Sequence, residues 1–274
     1  MCEVFGVSTS GYYAWLTRPE STRSKQDKAF KVKIKVFHKQ SRKTYGSPRI
    51  YDDFKEECIQ IGRKRVARLM REDGIKGEVP KKYKSTTDSK HKLPVAENVL
   101  DRKFNVKKRN TVWASDITYI RTTFGWLYLA VIIDLFSRKV IGYKIADHMR
   151  AELVVDAFKD AVQKRDVLPG KLLHHSDRGV QYASEGFRNE LESVKATQSM
   201  SRKGNCWDNA VTESFFATLK KDLIHRYQWT SKSQVQWEVS DYIENFYNRY
   251  RKHSSLGYKS PANYERLTML SKVA

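Results

Sequence analysis

Three acidic residues of this chain stand where a carboxylate is poorly favoured. Asp116 sits within WASDITYI, flanked by Ile117 and Ile120 in a run of β-branched and aromatic residues. Asp177 closes the apolar segment LLHHSD and is followed by Arg178 and Gly179, a turn signal. Glu213 falls near the start of NAVTESFFATLKKDLI, whose spacing predicts a helix beginning near Asp208 or Asn209. A carboxylate in a β-ladder is costly unless it is paired or metal-bound. If the three converge, each close pair repels by roughly 1 to 4 kcal/mol at ordinary effective dielectrics, and cations must offset this. An oxygen-only ligand set, without Cys or a clear His set, suits Mg²⁺ or Mn²⁺ rather than zinc. Two such ions about 4 Å apart can activate an attacking oxygen and stabilise a leaving one in phosphodiester chemistry. Taken singly, each residue has a plainer reading: a buried hydrogen-bonded Asp, a turn Asp and an exposed helical Glu. On a helical wheel Glu213 and Lys220 share one face, about 10 Å apart, largely opposite the apolar stripe Val211, Phe215, Leu219 and Leu223.

Bringing these residues together requires a sheet with a helix across it, and residues 111–230 supply both. VWASDITYI, WLYLAVIIDLF and KVIGYKI read as three consecutive strands, ELVVDAFKDAVQKR as a helix and KLLHHSD as a short buried strand. EGFRNELESV then reads as a helix, KATQSMS as a strand, and the helix of Glu213 follows. Strands first, then alternation, predicts an α/β core with a mixed sheet flanked by helices. Residues 231–274 add the amphipathic helix VQWEVSDYIENFYNRYRK and a tail ending in Pro261-Ala262-Asn263-Tyr264.

Residues 1–77 read as helical. Ser47-Pro48 predicts a helix start with Ser47 as the cap, and RKRVARLMREDG predicts a helix stopped by Gly74. Two helices joined near Gly62, the second carrying Arg63, Lys64, Arg65, Arg68 and Arg71, suit a helix-turn-helix presented to a duplex. They suit a helical hairpin with a solvated basic face equally well. FKVKIKVF, residues 30–37, alternates with period two as a strand would, while its neighbours favour a helix. Residues 78–110 turn to Lys, Ser, Thr and Pro and read as a basic, extended linker.

The 274 residues hold 52 Lys+Arg against 31 Asp+Glu, a net charge of +21, split into surpluses of 11 in residues 1–100 and 10 in the remainder. An excess spread along the chain suits a polyanionic partner, DNA or RNA, better than a detachable tail would. No apolar run is long enough for a membrane span, and the N-terminus lacks a secretory pattern, so a cytoplasmic protein is expected. Cys2, Cys58 and Cys206 are odd in number and form no CxxC pair, which excludes a disulfide framework and a cysteine-based zinc finger. Arg202 and Lys203, in the loop before Cys206, are placed to touch phosphates or else simply to solvate the loop. Asp134 reads as structural, ordering a turn with Ser137 and Arg138. His174 and His175 read as packing residues rather than metal ligands, and Asn209 as a helix cap.

Asp116 in SDITYI, Asp177 in HHSDRGVQY and Glu213 in NCWDNAVTESFFATLK, with 35 residues between the last two, resemble the D,D-35-E triad of retroviral-integrase-like transposases. Lys220 matches the basic residue seven after the Glu. Together with YGSPRI, IGRKRVARLM, IDLFSRKVIGY, SRKGNCWDNA and NRYRKHSSLGYKSPANYE, the chain from about residue 2 to 267 resembles the second-frame (orfB) product of the bacterial insertion-sequence three family.

The resemblance implies an RNase-H-like catalytic core preceded by a helix-turn-helix segment. It implies that Asp116, Asp177 and Glu213 bind two divalent ions, that a phosphodiester is hydrolysed at the element end, and that the freed 3′-OH attacks a second strand. The partners implied are terminal-repeat and target DNA. Synapsis of two DNA ends implies a homo-oligomer on DNA, and a nucleoid-associated location follows. In that family the activity belongs to a product joined by frameshifting to an upstream frame, and no heptad repeat precedes residue 30 here. A non-catalytic DNA-binding regulator and a nuclease acting on RNA–DNA hybrids remain alternative expectations.

Overall fold

The computed structural model describes residues 2–78, 93–203 and 205–271, apart from the side chain of Cys206. Residues 79–92 of the expected linker therefore lie outside the described residues. The chain divides into two compact units, Met1–Gly77 and Glu78–Ala274.

The first unit contains α1 (Thr9–Thr17), α2 (Thr22–Gln40), α3 (Ser47–Glu56) and α4 (Arg63–Glu72). The alternating segment lies within α2. Its apparent period of two comes from Lys residues on both sides of the helix, while Phe30, Ile34 and Phe37, three and four apart, form the inward stripe. Val32 and Val36 are left exposed. The stripe packs with Tyr45, Ile50, Phe54, Val66, Leu69 and Met70. Helix α3 starts as expected, but Gly46 rather than Ser47 occupies the cap position, and no side chain caps it. Gly74 stops α4 at φ +66°: its N–H donates to Arg71 O at 3.1 Å and Ile75 N–H to Met70 O at 2.8 Å, a Schellman closure.

In the second unit a five-stranded mixed sheet has the order β3-β2-β1-β4-β5. Its strands are β1 (Val112–Thr122), β2 (Gly125–Asp134), β3 (Val140–Ala146), β4 (Leu173–Ser176) and β5 (Thr197–Met200). β1, β2 and β3 pair antiparallel, and β1, β4 and β5 pair parallel. Between and after them run α5 (Ala151–Lys164), α6 (Val180–Ala183), α7 (Glu185–Ser193), α8 (Ala210–Asp222), α9 (Lys232–Asp241) and α10 (Pro261–Leu270).

Both faces of the sheet are covered, which is why β2 reads as an unbroken apolar run. Leu127, Leu129, Val131 and Ile133 face α8 and the C-terminal helices, while Ala130 and Ile132 face α5 and α7. Gly142 of β3 lets α5 approach closely, since a Cβ there would overlap the Ala157 carbonyl. The C-terminal segment packs within this unit. Its long helix changes at Tyr242–Tyr247 to a π-helical turn, and the expected tail is helical, α10, with Ser260 Oγ accepting from Asn263 N at 3.4 Å. The end of the expected linker is also packed: Leu100, Phe104 and Val106 lie against Ala114 and Leu135. Asp134 is buried, its carboxylate accepting from Asn110 N and Phe136 N, each at 2.9 Å. The turn expected with Ser137 and Arg138 is present: Arg138 N donates to Asp134 O at 2.8 Å, and Ser137 Oγ accepts from Lys139 N at 3.4 Å while donating to Glu265 Oε1 at 2.8 Å.

Candidate active site at the parting of two parallel strands

β1 and β4 pair in parallel only as far as Ala114 opposite His175. Asp116 and Asp177 each lie two residues beyond that pair. They share a level and, by the two-residue period of a strand, a face, where neighbouring strands stand about 4.8 Å apart. Asp177 is the first residue past β4, held in a turn where its Oδ1 accepts from Gly179 N at 2.9 Å. Asp116 Oδ1 accepts from Ile117 N at 2.8 Å.

Glu213 approaches from α8. The N-terminus of that helix is tied to β1, since Asn209 Nδ2 donates to Ser115 O at 3.2 Å, beside Asp116. Asn209 occupies the cap position, as expected, but its side chain caps nothing; Thr212 Oγ1 donates to Asn209 O at 2.9 Å instead. The face of α8 opposite its apolar stripe is not solvated. Glu213 is half-buried, Lys220 is buried, and both act electrostatically on Asp116.

Burial pushes the Asp116 carboxyl well above its ordinary value. The charge of Asp177 adds to this and that of Glu213 adds less, while the Ile117 hydrogen bond and Lys220 oppose it. Burial also raises Glu213. Lys220 is pushed down to about 8 by burial, with Asp116 pulling the other way. The structure thus brings Asp177, Glu213 and Lys220 each within reach of the Asp116 charge. Among the described residues, no three His, Cys, Asp or Glu are already gathered tightly enough to hold an ion. The donor chemistry nevertheless fits a hard divalent cation. The carboxylates supply oxygen only, and a bound cation would offset the burial and like charge that raise Asp116.

Both histidines are packing groups. His174 is ringed by Phe158, Tyr182 and Phe187, and burial depresses it to about 3. His175 lies between Ser199 Oγ at 2.9 Å and Ser201 Oγ at 3.2 Å and is depressed to about 4 by burial.

The basic residues divide. Arg63 and Lys64 are exposed on the first turn of α4. Arg65 Nε donates to Asp27 Oδ1 at 2.7 Å and Arg68 Nη2 to Asp27 Oδ2 at 2.6 Å, so these two fasten α4 to α2. Lys203 is exposed, whereas Arg202 grips the buried Asp208 together with Arg102. Sequence reasoning missed Asp208, Arg102 and Asn98 as a group. No local pattern signals a contact between residues more than a hundred positions apart.

A mixed sheet with an acidic residue at the parting of its parallel strands, and a second carried by the adjacent strand, defines the integrase-core class. Family comparison agrees: an integrase core domain matches residues 106–206, a second integrase core model residues 194–261, and an HTH-like domain residues 25–83. The chain belongs to the IS3 family of insertion-sequence transposases. It is 42% identical over 264 residues to the insertion element IS600 uncharacterized 31 kDa protein of Shigella sonnei, covering 96% of this chain and 97% of that one. It is 39% identical over 267 residues to the transposase InsF for insertion sequence IS3A of Escherichia coli strain K12, covering 97% and 92%. Among solved structures, a chain of the simian T-cell lymphotropic virus intasome in complex with PP2A regulatory subunit B56 gamma shares the fold. Its TM-score is 0.50 at 14% identity, covering 85% of this chain and 73% of that one.

Proposed function

We propose that this chain cleaves the ends of an insertion sequence and joins them to target DNA in a divalent-metal-dependent reaction, with Asp116, Asp177 and Glu213 as ligands. The observation that carries this reading is the common level of Asp116 and Asp177 beyond the last β1–β4 pair, with the Glu213 helix tied to β1 beside them. Bound Mg²⁺ or Mn²⁺, two ions in all, would polarise the scissile phosphate and the oxygens that enter and leave it. The three carboxylates bind and orient, and burial raises both Asp116 and Glu213. Hydrolysis at the element end leaves a 3′-OH, whose oxygen then displaces a 3′-oxygen from a target phosphodiester. One phosphodiester forms as one breaks, so the joining step needs no energy input and no protein nucleophile. Lys220, lowered by burial to about 8 and so still largely protonated at neutral pH, would hold a phosphate of the DNA end. Exposed Arg63, Lys64 and Lys203 supply phosphate contacts elsewhere.

The partners proposed are the terminal repeats and target DNA, a second copy of the chain at synapsis and an upstream-frame segment fused to the N-terminus. The setting proposed is the cytoplasm, on the nucleoid. Among the described residues, no helix is long and apolar enough to cross a membrane.

The test is Mg²⁺- or Mn²⁺-dependent cleavage and joining of the element's own end DNA by the wild type beside Glu213→Gln. Joined product from the wild type alone supports strand transfer. If both proteins shift the DNA in a gel and neither cuts, the chain is a binding subunit. Hydrolysis of an RNA–DNA hybrid without joining points to a nuclease.

A further inference from the structure

Asp208 is completely buried in the short turn, Cys206–Asn209, that leads directly into α8. Its Oδ1 accepts from Arg102 Nε and from Arg202 Nη2, each at 2.8 Å. Its Oδ2 accepts from Asn98 Nδ2, Arg202 Nε and the Arg202 backbone N–H, each at 2.9 Å. These donors hold the carboxyl far below its ordinary value, the Arg202 guanidinium foremost. The stretch that carries Asn98 and Arg102 is itself fixed to the sheet, with Val99 N and Leu100 N donating to Ser199 Oγ at 3.0 and 3.2 Å. On the other side of Asp208, the next residue is Asn209, which reaches the Ser115 carbonyl beside Asp116. Polar contacts therefore run without a break from the edge strand β5, through Asp208, to the first turn of α8 and to β1.

Arg202 presents little net charge to a phosphate. Two of its guanidinium nitrogens fork onto Asp208, and the third faces Asp101 Oδ1 at 3.5 Å. Neighbouring Lys203 is exposed.

We infer that Arg202 is a positioning residue rather than a phosphate contact: with Arg102 it acts through Asp208 to fix the start of α8, and so the placement of Glu213 opposite Asp116. This rests on the proposed role of Glu213. Displacing a catalytic group by about 1 Å can cost roughly 100-fold in rate, so a loose helix start weakens the chemistry without touching DNA affinity.

The full chain is compared with Arg202→Ala, Arg202→Lys and Arg102→Ala in three measurements: end-DNA binding across a salt series, Mg²⁺-dependent cleavage at saturating DNA, and backbone hydrogen exchange over residues 207–213. Expected for both alanine variants are unchanged affinity and salt slope, a fall of roughly 10- to 100-fold in the saturated cleavage rate, and faster exchange at the start of α8. Lysine is not expected to restore the rate, because it lacks the planar fork. A phosphate contact gives the opposite pattern: weaker binding, a salt slope smaller by about one, recovery in Arg202→Lys and unchanged exchange. That pattern, or no change in rate and exchange, overturns the inference. If the wild type fails to cut its own end DNA, the strand-transfer reading falls by itself, and the exchange comparison still decides whether the clamp holds α8.

Discussion

Asp116 and His174 lie on the neighbouring strands β1 and β4, and burial displaces their protons in opposite directions. The Asp116 carboxyl is raised, so the folded state holds its proton more tightly than the unfolded chain does. Its contribution is fully present below the unfolded value near 3.8 and is lost as pH rises through the folded one. Asp116→Asn cannot ionise. Without divalent ions at neutral pH it is expected to melt higher than the wild type, by about 2–4 °C for each kcal/mol of repulsion removed. Mg²⁺ should narrow the gap by stabilising the wild type alone. Calorimetry with and without Mg²⁺ checks this; a lower melting temperature for the metal-free variant would mean the carboxylates do not repel. His174 is depressed to about 3 from an ordinary 6.5, so its contribution is present above 6.5 and is lost as pH falls toward 3. Among the described residues, neither of its ring nitrogens has a hydrogen-bond partner. His174→Phe, occupying the same aromatic slot, is expected to flatten the acid limb of stability between pH 6.5 and 4, followed by urea midpoints. An unchanged limb would place the acid sensitivity elsewhere.

Helices α2, α4 and α8 show what an element's sequence discloses about its surroundings. The type of α4 and α8 was legible, because stops and three-four spacing are local, whereas the alternating Lys residues of 30–37 gave α2 the period of a strand. What each face meets was not legible. Taken singly, Glu213 reads as an exposed helical residue, yet it is half-buried and Lys220 is buried, and both act on the charge of Asp116 in β1. In α4 the basic residues look equivalent in sequence, yet Arg65 and Arg68 turn toward Asp27 of α2 while Arg63 and Lys64 stay exposed. The two sorts should respond differently to alanine. Lys64→Ala should weaken DNA binding and reduce its salt slope by about one while leaving stability unchanged. Arg65→Ala leaves Asp27 short of a partner, and it should lower stability by about 1 kcal/mol, in the range of a charge-assisted hydrogen bond at a half-buried site. Salt-series binding and urea unfolding of both variants separate the two roles. Equal effects on binding would show that α4 meets DNA through its whole basic set.

Across the whole molecule, the succession of strands and helices in the second unit was legible because it rests on periodicity, whereas the grouping of Asp116, Asp177 and Glu213 was expected from the resemblance. The pairing of β1 with β4 rather than with β5, which sets Asp116 level with Asp177, depends on a crossover through α5 and carries no local mark. The helical nature of residues 261–270 was hidden in the same way, since a short helix after Ser260-Pro261 takes much of its stability from the body it packs on. Charge behaves differently, because it needs no pairing to be counted. Residues 1–77 carry a surplus of nine positive charges and residues 78–274 a surplus of twelve. If both units contact DNA, affinity for the full chain should fall with salt more steeply than affinity for the fragment 78–274. Each phosphate contact made by residues 1–77 should add about 0.9 to the log–log slope. Exposed Arg63 and Lys64 alone would account for a difference of nearly two. Anisotropy titrations at several salt concentrations measure both slopes on the same end DNA. Equal slopes would confine the DNA contact to the integrase core and leave the positive charge of residues 1–77 without a role in binding.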